Sequence, residues 1–152
     1  MTTVFFIALV VMFVSSILIS LRAKKRGKGI SVFLAKPLLS EAEQVVYWRL
    51  IEAFSGEKIV LAQVAFSSFI DAQGGSKSEN FTKFALARHK VADFVICNKD
   101  FSIYAIVEIV GSTYTVIRDA GKDLIAEEAG LKTYSFNVES LPSATEIKEK
   151  II

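Results

Sequence analysis

Two apolar runs on either side of one short polar break constrain this chain more than any other feature. Lys90-Val91-Ala92-Asp93-Phe94-Val95-Ile96-Cys97 leads into Asn98-Lys99-Asp100-Phe101, and Ile103-Tyr104-Ala105-Ile106-Val107-Glu108-Ile109-Val110 follows. Runs rich in β-branched and aromatic residues, flanking a break with Asn and Asp, predict a β-hairpin. Each strand carries one carboxylate, Asp93 in the first and Glu108 in the second. With Lys99-Asp100 as a two-residue loop, Asn98 faces Phe101 and Asp93 faces Ile106. Glu108 is then the diagonal neighbour of Asp93 on one face, because side chains alternate with period two. Diagonal neighbours stand roughly 7–8 Å apart at the backbone, within reach of a shared cation. Acids inside apolar strands are costly unless paired, hydrogen-bonded or metal-bound.

A second constraint lies at the start of the chain. Residues Val4–Leu21 hold no charge, and Arg22, Lys24, Lys25, Arg26 and Lys28 follow at once. As a helix this run is about 27 Å long, close to the roughly 30 Å of a bilayer core. A cleaved signal peptide needs basic residues before its apolar core, and here they come after it. A buried core helix is rarely apolar all round over such a length. Residues 1–21 therefore read as a membrane anchor and residues 22–36 as a basic linker. The one-sided basic cluster puts the first residues outside and the rest of the chain in the cytoplasm.

The remainder, residues 37–152, is long enough for one domain with a proper core. Overall the chain holds 18 basic and 16 acidic side chains, but five of the basic ones and none of the acids precede residue 36. The body is thus net acidic, which excludes a broadly basic nucleic-acid-binding domain. One cysteine, Cys97, and one histidine, His89, exclude a disulfide framework and multi-histidine metal cages.

Helix signals frame the hairpin. Ser40 and Glu43 form a capping box before Val46, Tyr47, Leu50, Ile51 and Phe54, which recur at helical spacing up to Gly56. Leu50, Ile51 and Phe54 are the expected core face, with Trp48 at its edge. Lys58–Ala65 reads as a strand, and Gly74–Glu79 as a loop. Asn80 is the expected cap of a short helix over Phe81–Arg88. Asp119 is the expected cap of another helix through Ala129, stopped by Gly130. Lys132–Asn137 alternates like a strand, and Ser143 with Glu146 is a second capping box, for the terminal helix. The fold class is α/β, with a mixed sheet flanked by helices on both faces and the hairpin at its centre.

Several of these residues also carry a resemblance. Leu39-Ser40-Glu41-Ala42-Glu43, Asp93-Phe94-Val95, Val107-Glu108-Ile109, Arg118-Asp119, Lys122-Asp123 and Ala129-Gly130-Leu131 stand in a familiar order and spacing. From about Pro37 to Phe136 the chain resembles domain-of-unknown-function family 2726, regarded as part of the PD-(D/E)xK nuclease superfamily. The resemblance implies a restriction-endonuclease-like core and phosphodiester hydrolysis of nucleic acid with Mg²⁺ or Mn²⁺. By that pattern Asp93, Glu108 and the Ile109 carbonyl are the metal ligands, and Asp93, Glu108 and Lys122 the catalytic set. Arg88 and Lys90 are candidate contacts to substrate phosphates. Glu43 matches the first-helix acid of such sites, although the capping box already accounts for it. The chain departs from the pattern at Val110, where the superfamily places a lysine two residues after the second acid. It departs again at Ser112-Thr113, where the family often has Ser-His. Lys122, on the next helix, is the lysine left to fill the gap.

Two function classes therefore stand side by side. One is a membrane-tethered, metal-dependent nuclease. The other is a nuclease-derived module without catalysis that binds nucleic acid or a protein partner at the membrane, which Val110 and the acidic body favour. A membrane protein that merely resembles the core is a third, since fold does not fix function.

Overall fold

The computed structural model describes residues 11–18, 31–111 and 120–152, in two compact units, Met1–Lys36 and Pro37–Ile152. In the first unit residues 11–18 are helical, and Val11, Met12 and Phe13 are exposed. Residues 4–10 and 19–21 of the expected anchor, and the basic cluster, lie outside the described residues. No helix among the described residues is long and apolar enough to cross a membrane.

The second unit is a mixed α/β body. Helix α1 (Glu41–Phe54) starts at Ser40, whose hydroxyl accepts from the Glu43 N–H while Glu43 reaches back to the Ser40 N–H. It ends at Ser55, which is left-handed at φ 41°. Strand β1 (Ile59–Ala65) and a 3-10 turn (Phe66–Ser68) follow, then helix α2 (Lys77–Ala87). Next come β2 (Val91–Cys97), β3 (Ile103–Val110), α3 (Ala120–Glu128), β4 (Thr133–Asn137) and α4 (Ala144–Ile151). The strands form one sheet in the order β1-β2-β3-β4, with β3 and β4 parallel and the other pairs antiparallel. The hairpin lies at the centre of the sheet, as its apolar strands require.

The sheet divides two apolar cores. On one side Phe94, Ile96, Val107 and Phe136 pack with Val46, Leu50 and Phe54 of α1 and Ile147 and Ile151 of α4. On the other, Val95, Cys97 and Ile106 pack with Phe66, Ala87 of α2 and Ala126 of α3. The buried stripe of α1 is Val46, Leu50, Ala53 and Phe54, whereas Ile51 is 37% exposed. Ile51 follows Leu50 by a single residue, a turn of about 100° that carries it off a stripe built on steps of three and four. Trp48 is 65% exposed. Leu50 is fully buried, so Leu50→Ala is expected to cost about 2–5 kcal/mol in equilibrium denaturation.

Two expected elements need correction. Helix α2 begins at Lys77 and not at Phe81, because Ser76 and Glu79 form a third capping box. Asn80 is a residue of that helix, and its side-chain oxygen accepts from the Gly75 N–H. The hairpin loop has three residues and not two, with Phe101 left-handed at φ 64° and Asn98 N–H donating to the Ser102 carbonyl. This is a turn closed by a residue that is usually glycine. Beyond it Cys97 pairs with Ile103 and Ile96 with Ala105, so Tyr104 is an extra, bulged residue. Val95 therefore faces Ile106, and Asp93 does not.

Candidate functional site

The β2–β3 pairing reaches Phe94↔Val107 and no further, although β2 runs on beside β1 to Val91 and β3 beside β4 to Val110. The two central strands thus separate at Asp93 and Glu108, which the register would set opposite each other. The Asp93 carboxylate fills the gap, with Oδ2 accepting from the Ile109 N–H at 2.8 Å. A side chain here takes the place of the next ladder acceptor, satisfying a backbone donor that the parting strands would otherwise leave bare.

A local twist accompanies the separation. Gln63, the β1 residue lying across from Asp93, is left-handed at φ 54°. Its neighbours Ala62 and Val64 lie in opposite cores, although period-two alternation would put both on one face. On β2, Phe94 and Ala92 are divided in the same way. Gln63 is tied to α1, its amide donating to Glu43 Oε1 at 2.8 Å. With Oε2 held by the Ser40 N–H, Glu43 acts as a cap and strut.

Glu108 sits in the sheet with its side chain 12% exposed. Lys122 of α3 reaches it, donating to Oε2 at 2.5 Å and to the Val91 carbonyl at 2.8 Å. The Lys122 side chain is itself 19% exposed. Glu108 Oε1 is buried and has no hydrogen-bond partner. Burial pushes the Glu108 carboxyl up to about 7, the Lys122 hydrogen bond and charge pull it down, and the neighbouring Asp93 pushes it up again.

Asp93, Glu108 and Lys122 are thus brought together, on β2, β3 and α3. The Ile109 N–H points toward β2, and in a strand the carbonyl of a residue points to the same side as its N–H. Two carboxylates and a main-chain carbonyl are a hard-oxygen set suited to Mg²⁺ or Mn²⁺, which keep several waters and need few protein ligands. The partnerless Glu108 Oε1 is consistent with that fit. Among the described residues no three His, Cys, Asp or Glu side chains gather into a metal cage, so a cation here would rely on this smaller set. Arg88 is exposed at the end of α2, with Nε donating to His89 Nε2. Lys90 is half-buried, its N–H bonded to the Ala87 carbonyl and its carbonyl to the Phe66 N–H. Ser112, Thr113, Arg118 and Asp119 lie outside the described residues. Gln63 is not among the expected site residues, because a polar residue in an alternating strand reads as part of a wet face.

No curated protein and no solved structure matches the chain. Residues 35–152 match the model of the family described as protein of unknown function (DUF2726), and the chain belongs to that family.

Proposed function

We propose that the body is a nuclease-like domain that takes up Mg²⁺ or Mn²⁺ and hydrolyses phosphodiester bonds of nucleic acid. Its core is read as restriction-endonuclease-like, and residues 4–21 as the tether that holds it on the cytoplasmic side of a membrane. The observation that carries the catalytic reading is the meeting of Asp93, Glu108 and Lys122 where two central strands part. In this reading Asp93 and Glu108 hold the cation, helped by the Ile109 carbonyl. A cation so held polarises a phosphate and makes bound water more acidic. Asp93 also anchors the Ile109 backbone, which keeps that carbonyl aimed into the gap. Lys122 neutralises one of two adjacent carboxylates and offers an ammonium where negative charge develops on a phosphate. Arg88 and Lys90, just before β2, are the proposed contacts to the nucleic-acid backbone. The charge-free run and the basic cluster after it support the tether and its orientation.

The test uses the full chain in detergent with Mg²⁺ or Mn²⁺ and single- and double-stranded DNA and RNA. Metal-dependent cleavage, lost in Asp93→Asn and Lys122→Ala, is the expected result. The metal should also raise stability by about 2.7 kcal/mol at a hundredfold excess over its dissociation constant. Asp93→Asn is expected to remove most of that gain. Stabilisation without cleavage would favour a module that has kept the site and lost catalysis, as Val110 in place of a lysine suggests. A melting temperature indifferent to both metals would exclude the cation site.

A further inference from the structure

Among the described residues two buried side-chain polar atoms lack a hydrogen-bond partner, Glu108 Oε1 and Ser135 Oγ. They belong to neighbouring residues. Glu108 of β3 and Ser135 of β4 are Cα partners in the parallel register, between Val107↔Tyr134 and Ile109↔Phe136. Paired positions of adjacent strands present their side chains to the same face. One atom is a carboxylate acceptor, and the other is a hydroxyl that both donates and accepts. Buried polar groups nearly always find partners, and each of these two has what the other lacks. A serine side chain has three staggered positions about its first torsion, so the hydroxyl can be turned along the strand pair by rotation of the side chain.

We propose that Ser135 is the positioning residue of Glu108, its hydroxyl donating to Oε1 while Lys122 holds Oε2. Grips on both oxygens fix the plane of the carboxylate. With Lys122 on Oε2 and the Asp93 carboxylate beside it, Glu108 has no donor on Oε1 to fix that oxygen. Held at both ends, it keeps one edge turned toward Asp93 across the gap between β2 and β3. The consequence for metal uptake rests on the reading of Glu108 as a cation ligand, whereas the contact itself does not.

The experiment therefore has a metal-free arm and a Mn²⁺ arm, both on the full chain in detergent. In the metal-free arm Ser135→Ala and Ser135→Thr are made in the natural background and with Glu108→Leu, and unfolding is followed in denaturant. Ser135→Ala should lower the folding equilibrium constant about tenfold when Glu108 is present and very little when it is leucine. Ser135→Thr, which keeps the hydroxyl, should hold most of the stability in the natural background. An equal loss in both backgrounds would show that Ser135 only packs, and would overturn the proposal. In the second arm, Mn²⁺ affinity read from the thermal shift should fall about tenfold in Ser135→Ala and recover in Ser135→Thr. Unchanged affinity in Ser135→Ala would overturn the positioning role. Coupling in the first arm with no Mn²⁺ affinity in any chain would support the contact and remove the cation reading alone.

Discussion

Phe94→Ala is expected to destabilise the folded body by about 3–5 kcal/mol, measured by chemical denaturation of the metal-free chain. Phe94 is fully buried at the centre of the sheet, in the core formed with α1 and α4. Its ring lies 6.2 Å from that of Tyr47, so truncation removes an aromatic contact together with buried area. The residue also closes the β2–β3 ladder, facing Val107 immediately before the strands part. A cavity there would let the parting point migrate toward the turn and carry Asp93 with it. Phe94→Leu, which keeps most of the volume, should cost far less. A loss under 1 kcal/mol for the alanine variant would mean that α1 collapses onto the sheet to fill the space.

The second large effect is electrostatic and depends on pH. Lys122→Met is expected to cost about 1–2 kcal/mol more at pH 8 than at pH 5, because the buried Glu108 carboxylate loses its cation and must take up a proton about one pH unit above its folded-state pKa. At pH 5 the loss should shrink to the part owed to the Val91 carbonyl, since Glu108 can then take up a proton. The sign follows from linkage. The folded-state pKa of Glu108 is raised from an ordinary 4.5 to about 7, so between those values the folded state binds more protons than the unfolded one. This group's contribution is therefore complete below about 4.5 and is lost as the pH rises through 7. In the unsubstituted chain the loss is on the order of 2 kcal/mol, after allowing for partial solvent screening. Glu108→Gln should flatten the slope over that window. A Lys122→Met penalty equal at pH 5 and pH 8 would show that the lysine acts through packing and not through charge.

Which parts of this were readable in the residues follows from how local their causes are. The capping boxes at Ser40 and Ser143 need only four consecutive residues, and both helices begin where those boxes put them. The box at Ser76 has the same form, but Gly74-Gly75 reads as a loop signal that hides it. The order of elements was legible because each apolar run stands between turn residues. The hairpin register was not, since nothing in Asn98-Lys99-Asp100-Phe101 announces a left-handed phenylalanine. Lys122 is reached through the family resemblance, as the lysine on the helix after Glu108 that could stand in for the one missing at Val110. The orphaned Ser135 hydroxyl and the twist at Gln63 depend on neighbours distant in sequence, and no local pattern announces either.

The three-residue loop and the bulge at Tyr104 are each an odd interruption, and together they act like a frame that has slipped and then been restored. Adding or deleting one residue between Asn98 and Tyr104 would bring Val107 or Ile109 opposite Asp93 and turn Glu108 toward the other core. Changes of two residues would leave the carboxylates on their shared side. Chains that keep this arrangement should therefore vary the hairpin tip only in steps of two. A relative with a single-residue difference there should either carry a compensating bulge or have dispensed with the acidic pair.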